Sequence, residues 1–338
     1  MKTAFVTGSA GFIGYHISKK LLENGWRVVG IDAFTDYYDI QLKKNRNQLL
    51  QKYKLFSLVE GRIEDSNILK NILDQFEPNI LIHLAAQAGV RYSRENPKSY
   101  LETNLIGSFN ILDLIKERKP EHILIASSSS VYGYTDNMPF NENQKSDFQL
   151  SFYGATKKAL EAMSHSYSHN YLIPTTLFRF FTVYGPWGRP DMALYKFTSS
   201  ILSGDEINVY NHGDMIRDFT YIDDLVESIF LLIDKNPSMP GSRDKNYFDD
   251  SISEVAPWRV INIGNSKPVQ LLKYVEEIER ILEKKAKINL TKMEIGDMQS
   301  TWASNDLLRE ITGFTPATSL KDGLEKYISW FKKYYLKI

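Results

Sequence analysis

The feature that most limits how this chain can fold is Gly8-Ser9-Ala10-Gly11-Phe12-Ile13-Gly14. It lies between a short apolar run, Thr3-Ala4-Phe5-Val6-Thr7, and an apolar periodicity through Ile13, Ile17, Leu21 and Leu22 that stops at Gly25. Strand, glycine loop and helix in that order give each glycine a task. Gly8 permits a tight turn, Gly11 lets backbone approach a pyrophosphate, and Gly14 lets the helix pack against the strand. The helix N-terminus then offers N–H groups and a positive dipole end to an anion. A second strand-like run, Arg27-Val28-Val29-Gly30-Ile31, ends at Asp32, whose carboxylate can take both hydroxyls of an adenosine ribose. Its charge repels a 2′-phosphate and no Arg follows immediately, so NAD is favoured over NADP.

Further strand-like runs fall at Leu55–Val59, Ile80–Leu84, Ile123–Ser127 and Thr175–Phe180, alternating with helical patterns around 66–76, 100–118 and 153–171. That alternation predicts an α/β fold, a Rossmann-like doubly wound parallel sheet with a smaller α/β substrate-binding domain. The motifs then sit at the carboxyl ends of strands: Gly8, Asp32, Leu84-Ala85-Ala86-Gln87 and Ser127-Ser128-Ser129-Ser130. Texture changes at Gly185-Pro186-Trp187-Gly188-Arg189-Pro190, which sets a dinucleotide domain at 1–180 and a second domain at 181–338. An interleaved boundary is expected, because Ile222–Ile233 reads as a helix able to return to the sheet. Residues 235–257, rich in Pro, Ser, Asp and Asn, read as a surface insertion.

Lys plus Arg, 41, balances Asp plus Glu, 41, so no general attraction to nucleic acid or anionic lipid is expected and any phosphate site must be local. The chain has no Cys, which excludes disulfides and thiolate chemistry, and its six His show no metal-ligand spacing. No apolar run approaches the roughly 18 residues of a membrane span. No signal-peptide pattern precedes Thr3, so a cytoplasmic protein is expected.

Tyr153 opens a helical pattern shortly after the Ser cluster, with Lys157 one turn on. A free Tyr titrates near ~10, and both the Lys157 ammonium and a positive nicotinamide ring favour its phenolate, suiting it to act as a base near neutrality. Tyr15 and Lys19 repeat the spacing on the first helix, where the pair reads as incidental.

With the glycine loop, Tyr153/Lys157 and Arg217-Asp218-Phe219-Thr220-Tyr221-Ile222-Asp223-Asp224, the chain resembles the extended short-chain dehydrogenase/reductases that modify nucleotide sugars. Asp36-Tyr37-Tyr38-Asp39 with Leu42-Lys43, Ala85-Ala86-Gln87-Ala88-Gly89-Val90-Arg91-Tyr92-Ser93 and Phe181-Thr182-Val183-Tyr184-Gly185-Pro186 look most like their UDP-glucuronate 4-epimerase subgroup. The resemblance runs from Lys2 to the Trp330-Phe331 helix. It departs at Ala33, where Asn is usual, at Arg62, where Asp is expected, and at Glu294-Ile295-Gly296-Asp297 in place of Gln-Pro-Gly-Asp.

The resemblance implies a catalytic Tyr153, Lys157 and Ser128. NAD would be held by Gly8, Gly11, Phe12, Ile13, Gly14, Asp32, Ile63, Leu84, Ala85, Ala86, Gln87 and Asn104, with Tyr153 and Lys157. A UDP-sugar would meet Ser128, Ser129, Ser130, Thr182, Arg189, Arg217 and Asp297. Arg189 and Arg217 would take the diphosphate and Asp297 the uridine ribose. Arg91 would meet either the substrate or a surface acid. Ser129 and Ser130 stand where related 4,6-dehydratases carry Asp and Glu, which argues against dehydration, and their hydroxyls suit a substrate carboxylate. Thr182 replaces the Asn of UDP-galactose 4-epimerases. His83 reads as a packed strand-end residue. The resemblance further implies a homodimer through a four-helix bundle of the helices near 100–118 and 153–171, with apolar stripes including Leu105, Leu112 and Leu160. Two other readings are a 4-epimerase of neutral or N-acetylated UDP-hexoses and a non-catalytic NAD-binding Rossmann protein.

Overall fold

The structure, a computed structural model, describes residues 1–242, 247 and 249–337. Its strands are β1 (Thr3–Thr7), β2 (Arg27–Asp32), β3 (Phe56–Glu60), β4 (Ile80–His83), β5 (His122–Ala126), β6 (Thr175–Phe180), β7 (Thr182–Tyr184), β8 (Glu206–Val209), β9 (Ile216–Tyr221), β10 (Trp258–Ile263), β11 (Pro268–Gln270), β12 (Lys287–Leu290) and β13 (Ser300–Thr301). Seven of them form one sheet in the order β10-β6-β5-β4-β1-β2-β3, every pairing parallel. β1, β4, β5 and β6 are buried along their whole length, as unbroken apolar strands must be when helices cover both faces. The doubly wound parallel sheet read from the sequence is therefore present.

The chain leaves β1 towards β2 and β3, then crosses back to β4 on the other side. Strand order thus reverses between β1 and β4, which opens a crevice at their carboxyl ends. Gly8 sits in that crevice at φ +70, and a Cβ there would stand 3.0 Å from the Ala85 backbone. A Cβ on Gly14 would collide with the Gly8 carbonyl oxygen, so the helix Phe12–Glu23 approaches β1 this closely only with glycine at 14.

Two elements of the sheet layer carried little sequence signal. The helix Ile40–Leu50 between β2 and β3 buries Lys43, Arg46 and Asn47 beside Leu42 and Leu50, so its inward face is half polar and shows weak apolar periodicity. The seventh strand, β10, includes Arg259 and Asn262, both buried; Arg259 pairs with Asp250, and Asn262 accepts from Tyr132. The helix Ile222–Leu232 packs against Phe12–Glu23, so this later segment does return to the sheet layer. Within the expected insertion at 235–257, residues 243–246 and 248 lie outside the described residues.

The remaining strands form a small sheet, in which β9 pairs with β7, β11 and β13, and the pair β8–β12. The helical pattern read at 100–118 is one continuous run from Pro97 to Arg118, wound as a π-helix over Leu101–Gly107. Leu112 and Leu160 do not form outward stripes: they pack into the core between helices and sheet, with Leu105 half-buried. On the outer face Leu101, Ile106 and Phe109 are exposed instead.

Gly14→Ala should lower stability by about 1–3 kcal/mol, the usual cost of forcing atoms into a packed site. It should also reduce the nicotinamide nucleotide retained through purification. Thermal unfolding and the nucleotide content of wild type and variant check both; an unchanged content would mean that the loop tolerates a side chain.

Candidate active site

A cleft of about 280 Å³ runs across the carboxyl ends of the sheet strands and is lined by residues following β1, β2, β3, β4, β5 and β6. At one end are Gly8, Gly11, Phe12, Ile13 and Gly14. No side chain caps the helix that begins at Phe12, so its first N–H groups remain free for an anion. Asp32 closes β2; its carboxylate accepts from Ala10 N at 3.0 Å and from Phe34 N at 2.9 Å, which fixes it facing the loop with lone pairs to spare for hydroxyls. An uncapped helix terminus, glycine backbone and an oriented carboxylate along one cleft fit the pyrophosphate and adenosine ribose of a dinucleotide. When bound, NAD would supply the hydride acceptor and donor.

Ile63 and Leu84-Ala85-Ala86-Gln87 continue the wall. Asn104 lies behind it: its Oδ1 accepts from Gln87 N at 2.8 Å, and its Nδ2 donates to Gln87 O at 3.0 Å and Thr156 Oγ1 at 3.1 Å. It ties the β4 exit loop to the helix that bears Tyr153. Its position in the π-helical stretch, where local winding is displaced, brings this amide to the wall.

The other end of the cleft holds Ser128, Tyr153 and Lys157. Ser151 caps the helix Phe152–Tyr171 by accepting from Gly154 N, which places Tyr153 in its first turn. Lys157 Nζ donates to Ala126 O at 2.8 Å, at the end of β5. Burial pushes Lys157 down to about 8, against the opposing pull of Glu161. Burial pushes the Tyr153 phenol up, while hydrogen bonding from Ser128 and the Arg189 charge draw it down. Arg189 is thus a further cation acting on Tyr153, beside the Lys157 ammonium and the nicotinamide ring expected from the sequence, and Lys157 is anchored on backbone.

Arg189 lines the same cleft and pairs twice with Asp191, at 2.9 and 2.5 Å; Tyr37 donates to that carboxylate at 3.2 Å. Burial works against the Arg189 charge, and Asp191 more than offsets it. Asp191 carries no role in the reading of the sequence, although it stands two residues after the arginine. Lys43, another unassigned residue, reaches the wall with Nζ bonded to Thr35 O at 2.6 Å and Thr35 Oγ1 at 2.9 Å. Arg62 pairs with Glu64 at the rim.

Several sequence-derived candidates border this wall without lining it or lie in neighbouring clusters. Ser129 and Ser130 begin the short 3₁₀ turn Ser129–Tyr132, where Ser128 Oγ accepts from Ser130 N. Thr182 lines a smaller adjoining cavity that shares Phe12, Arg189 and Met192 with the cleft. Arg91, Arg217 and Asp297 gather separately. Arg91 Nη2 bonds Asp297 at 2.8 Å, its guanidinium lies 3.9 Å from the Tyr210 ring centroid, and Arg217 feels both charges. The acid that Arg91 meets is therefore Asp297. Burial pushes the Arg217 guanidinium down, with Asp297 opposing and Arg91 adding to the shift.

His83 is buried between Thr7 Oγ1 at 2.8 Å and Ser108 Oγ at 3.0 Å, and burial drives it down to about 3, a packed neutral residue as read. Tyr15 is buried with its ring 5.9 Å from Trp187, and Lys19 points outward to Glu23, which removes that pair from the chemistry. No helix among the described residues is long and apolar enough to cross a membrane.

The model of the NAD dependent epimerase/dehydratase family matches residues 4–246. A probable UDP-glucuronate 4-epimerase of Rhizobium meliloti is 48% identical, over 98% of this chain and 97% of its own length. UDP-glucuronate 4-epimerase 4 of Arabidopsis thaliana is 44% identical, over 98% of this chain and 76% of its own. Among solved structures, UDP-glucuronic acid 4-epimerase from Bacillus cereus, in complex with UDP-glucuronic acid and NAD, superposes with a TM-score of 0.87. It is 31% identical, with 98% of this chain and 100% of that one covered. A glycine cradle and oriented Asp32 at one end of a cleft, with Tyr153, Lys157 and Ser128 at the other, thus belong to a member of the NAD-dependent epimerase/dehydratase family.

Proposed function

We propose that this protein is an NAD-dependent isomerase that interconverts UDP-glucuronate and UDP-galacturonate by inverting C4 of the sugar. The observation that carries the reading is the charge distribution along the cleft. The carboxylates lining it, Asp32 and Glu64, both belong to the β2–β3 side, while the charged groups beside Tyr153 and Ser128 are the cations Lys157 and Arg189. No acid–base carboxylate lines the wall where dehydration at C5 and C6 needs one, and the local field favours an anionic sugar. The likeness to the Rhizobium meliloti and Bacillus cereus proteins supports the same substrate.

In this reading Tyr153 takes the O4 proton and later returns it, Ser128 hydrogen-bonds O4, and Lys157 binds the nicotinamide ribose while its charge supports the phenolate. Ser129, Ser130 and Thr182 solvate the substrate carboxylate through hydroxyls. Oxidation at C4 makes a β-keto acid, which loses carbon dioxide readily if its carboxylate swings out of the sugar plane. Hydrogen bonds that fix the group therefore separate epimerisation from decarboxylation. Arg189 and Arg217 face the diphosphate, and the Arg91–Asp297 pair frames the uridine ribose. Residues 1–180, with the helix at 222–233, make the NAD-binding part and most of 181–338 the UDP-sugar part. The protein works as a cytoplasmic homodimer in polysaccharide precursor supply; exposed Leu101, Ile106 and Phe109 on the helical run Pro97–Arg118 are the apolar surface a second copy would cover.

Three outcomes are expected. Purified protein given UDP-glucuronate yields UDP-galacturonate by NMR, and UDP-glucose turns over at least about tenfold more slowly, because each buried donor left unpaired costs about 1–3 kcal/mol. Preferred turnover of UDP-glucose, or UDP-xylose as main product, would overturn the assignment. Tyr153→Phe loses about 10² to 10⁴ in turnover while UDP-sugar binding survives; unchanged turnover would remove Tyr153 from the chemistry. Sedimentation at micromolar concentration gives a dimer, and a monomer there would exclude the bundle.

A further inference from the structure

Behind the reactive end of the cleft lies a buried polar cluster centred on Glu161, which borders the cleft through Ser127. Glu161 stands one helical turn beyond Lys157 and is buried, as are Ser127 and Arg179. One carboxylate oxygen accepts from Ser127 Oγ at 2.6 Å and from Arg179 Nε at 2.9 Å; the other accepts from Arg179 Nη2 at 2.9 Å. Ser127 immediately precedes Ser128 and follows Ala126, whose carbonyl holds Lys157. Arg179, on β6, also donates to Glu142 O at 3.2 Å and lies 4.6 Å from the Tyr132 ring centroid, at the end of the serine turn. A bidentate pair taken out of water is an expensive way to gain stability, since apolar residues of equal volume would do as well. Its retention calls for another task, and its contacts name one: Ser127 and Tyr132 lie on either side of Ser128, and Glu161 stands on the helix that carries Tyr153 and Lys157, where Lys158 also pairs with it at 3.8 Å.

We propose that Glu161 is a positioning residue for the epimerase reaction: it locks the Ser127–Ser128 strand end in register with the Tyr153–Lys157 helix, and its buried charge keeps Lys157 an ammonium. The inference rests on the function given above. Of the groups around Lys157 and Glu161, His83 on β4 is neutral across the working range, Tyr153 lies one turn earlier on the same helix, and the cations Arg179 on β6 and Lys158 on the helix both pair with Glu161. Glu161 is then the negative charge opposing the burial of Lys157. The sign follows: without that charge Lys157 loses its proton at lower pH, and activity that needs the ammonium is lost earlier as pH rises.

The test is the pH dependence of kcat for NAD-loaded wild type, Glu161→Gln, Glu161→Asp and Ser127→Ala. In Glu161→Gln the alkaline limb should move down by roughly one pH unit. Glu161→Asp, which keeps the charge, should return the limb towards its original place. Ser127→Ala, which breaks only the tie to the strand end, should lower kcat with the limb unmoved. If Glu161→Gln fails to fold because Arg179 is left unpaired, Glu161→Gln/Arg179→Gln carries the test, and its limb should move in the same direction by less. A folded variant lacking Glu161 with an unmoved limb overturns the charge, and undiminished kcat in Ser127→Ala overturns the register. Wild-type turnover of UDP-glucuronate in the same series tests the function separately, so an active wild type with insensitive variants sinks this inference alone.

Discussion

The hydrogen bond from Lys157 Nζ to the Ala126 carbonyl, 2.8 Å long and buried, holds the reactive end of the cleft together. It pins a helix to the end of a strand at the point where the chain leaves the sheet. Without it the ammonium would sit in an apolar wall with one fewer acceptor, and burial already drives Lys157 down to about 8. Ser128 follows Ala126 by two residues, so the bond also sets how far the serine hydroxyl stands from Tyr153, one turn before Lys157. Asn104 makes the matching tie on the cofactor side, joining Gln87 to Thr156 of the same helix. Proton chemistry tolerates little misplacement, and a helix fixed at two points by buried polar bonds is the kind of support it requires.

The parts of this arrangement that were legible in the sequence are those whose causes are local. Gly8, Gly11 and Gly14 are explained by contacts within a few residues or with the neighbouring strand, and Asp32 is held by Ala10 N and Phe34 N. Strand runs buried on both faces announce themselves as apolar, so β1 to β6 were found within one residue of their ends. The helix Ile40–Leu50 escaped because its inward face carries Arg46, which donates to Ala10 O, the Tyr38 hydroxyl and Trp187 O; periodicity counts apolar residues and misses a buried guanidinium. The seventh strand escaped for the same reason at Arg259 and Asn262.

Contacts between residues distant in the chain were the least legible. Arg91 and Asp297 are 206 residues apart, and nothing in either neighbourhood announces their pairing. Where Ser129, Ser130 and Thr182 stand relative to the main cleft depends on how the serine turn curls and where β7 joins the small sheet, both settled by packing. The role expected of Lys157 shows the same limit. Spacing placed it beside Tyr153, but only the fold shows that the Arg189 charge, brought in by the loop after β7, also draws the phenol down.

Epimerisation at C4 requires one cleft to remove hydrogen and return it without releasing it. UDP-glucuronate deuterated at C4, incubated with the purified protein in ordinary water and followed by NMR and mass spectrometry, tests it directly. The account predicts UDP-galacturonate that keeps its deuterium at C4, with no NADH accumulating in solution. Washout of the label from C4, or NADH accumulating in solution, would contradict it.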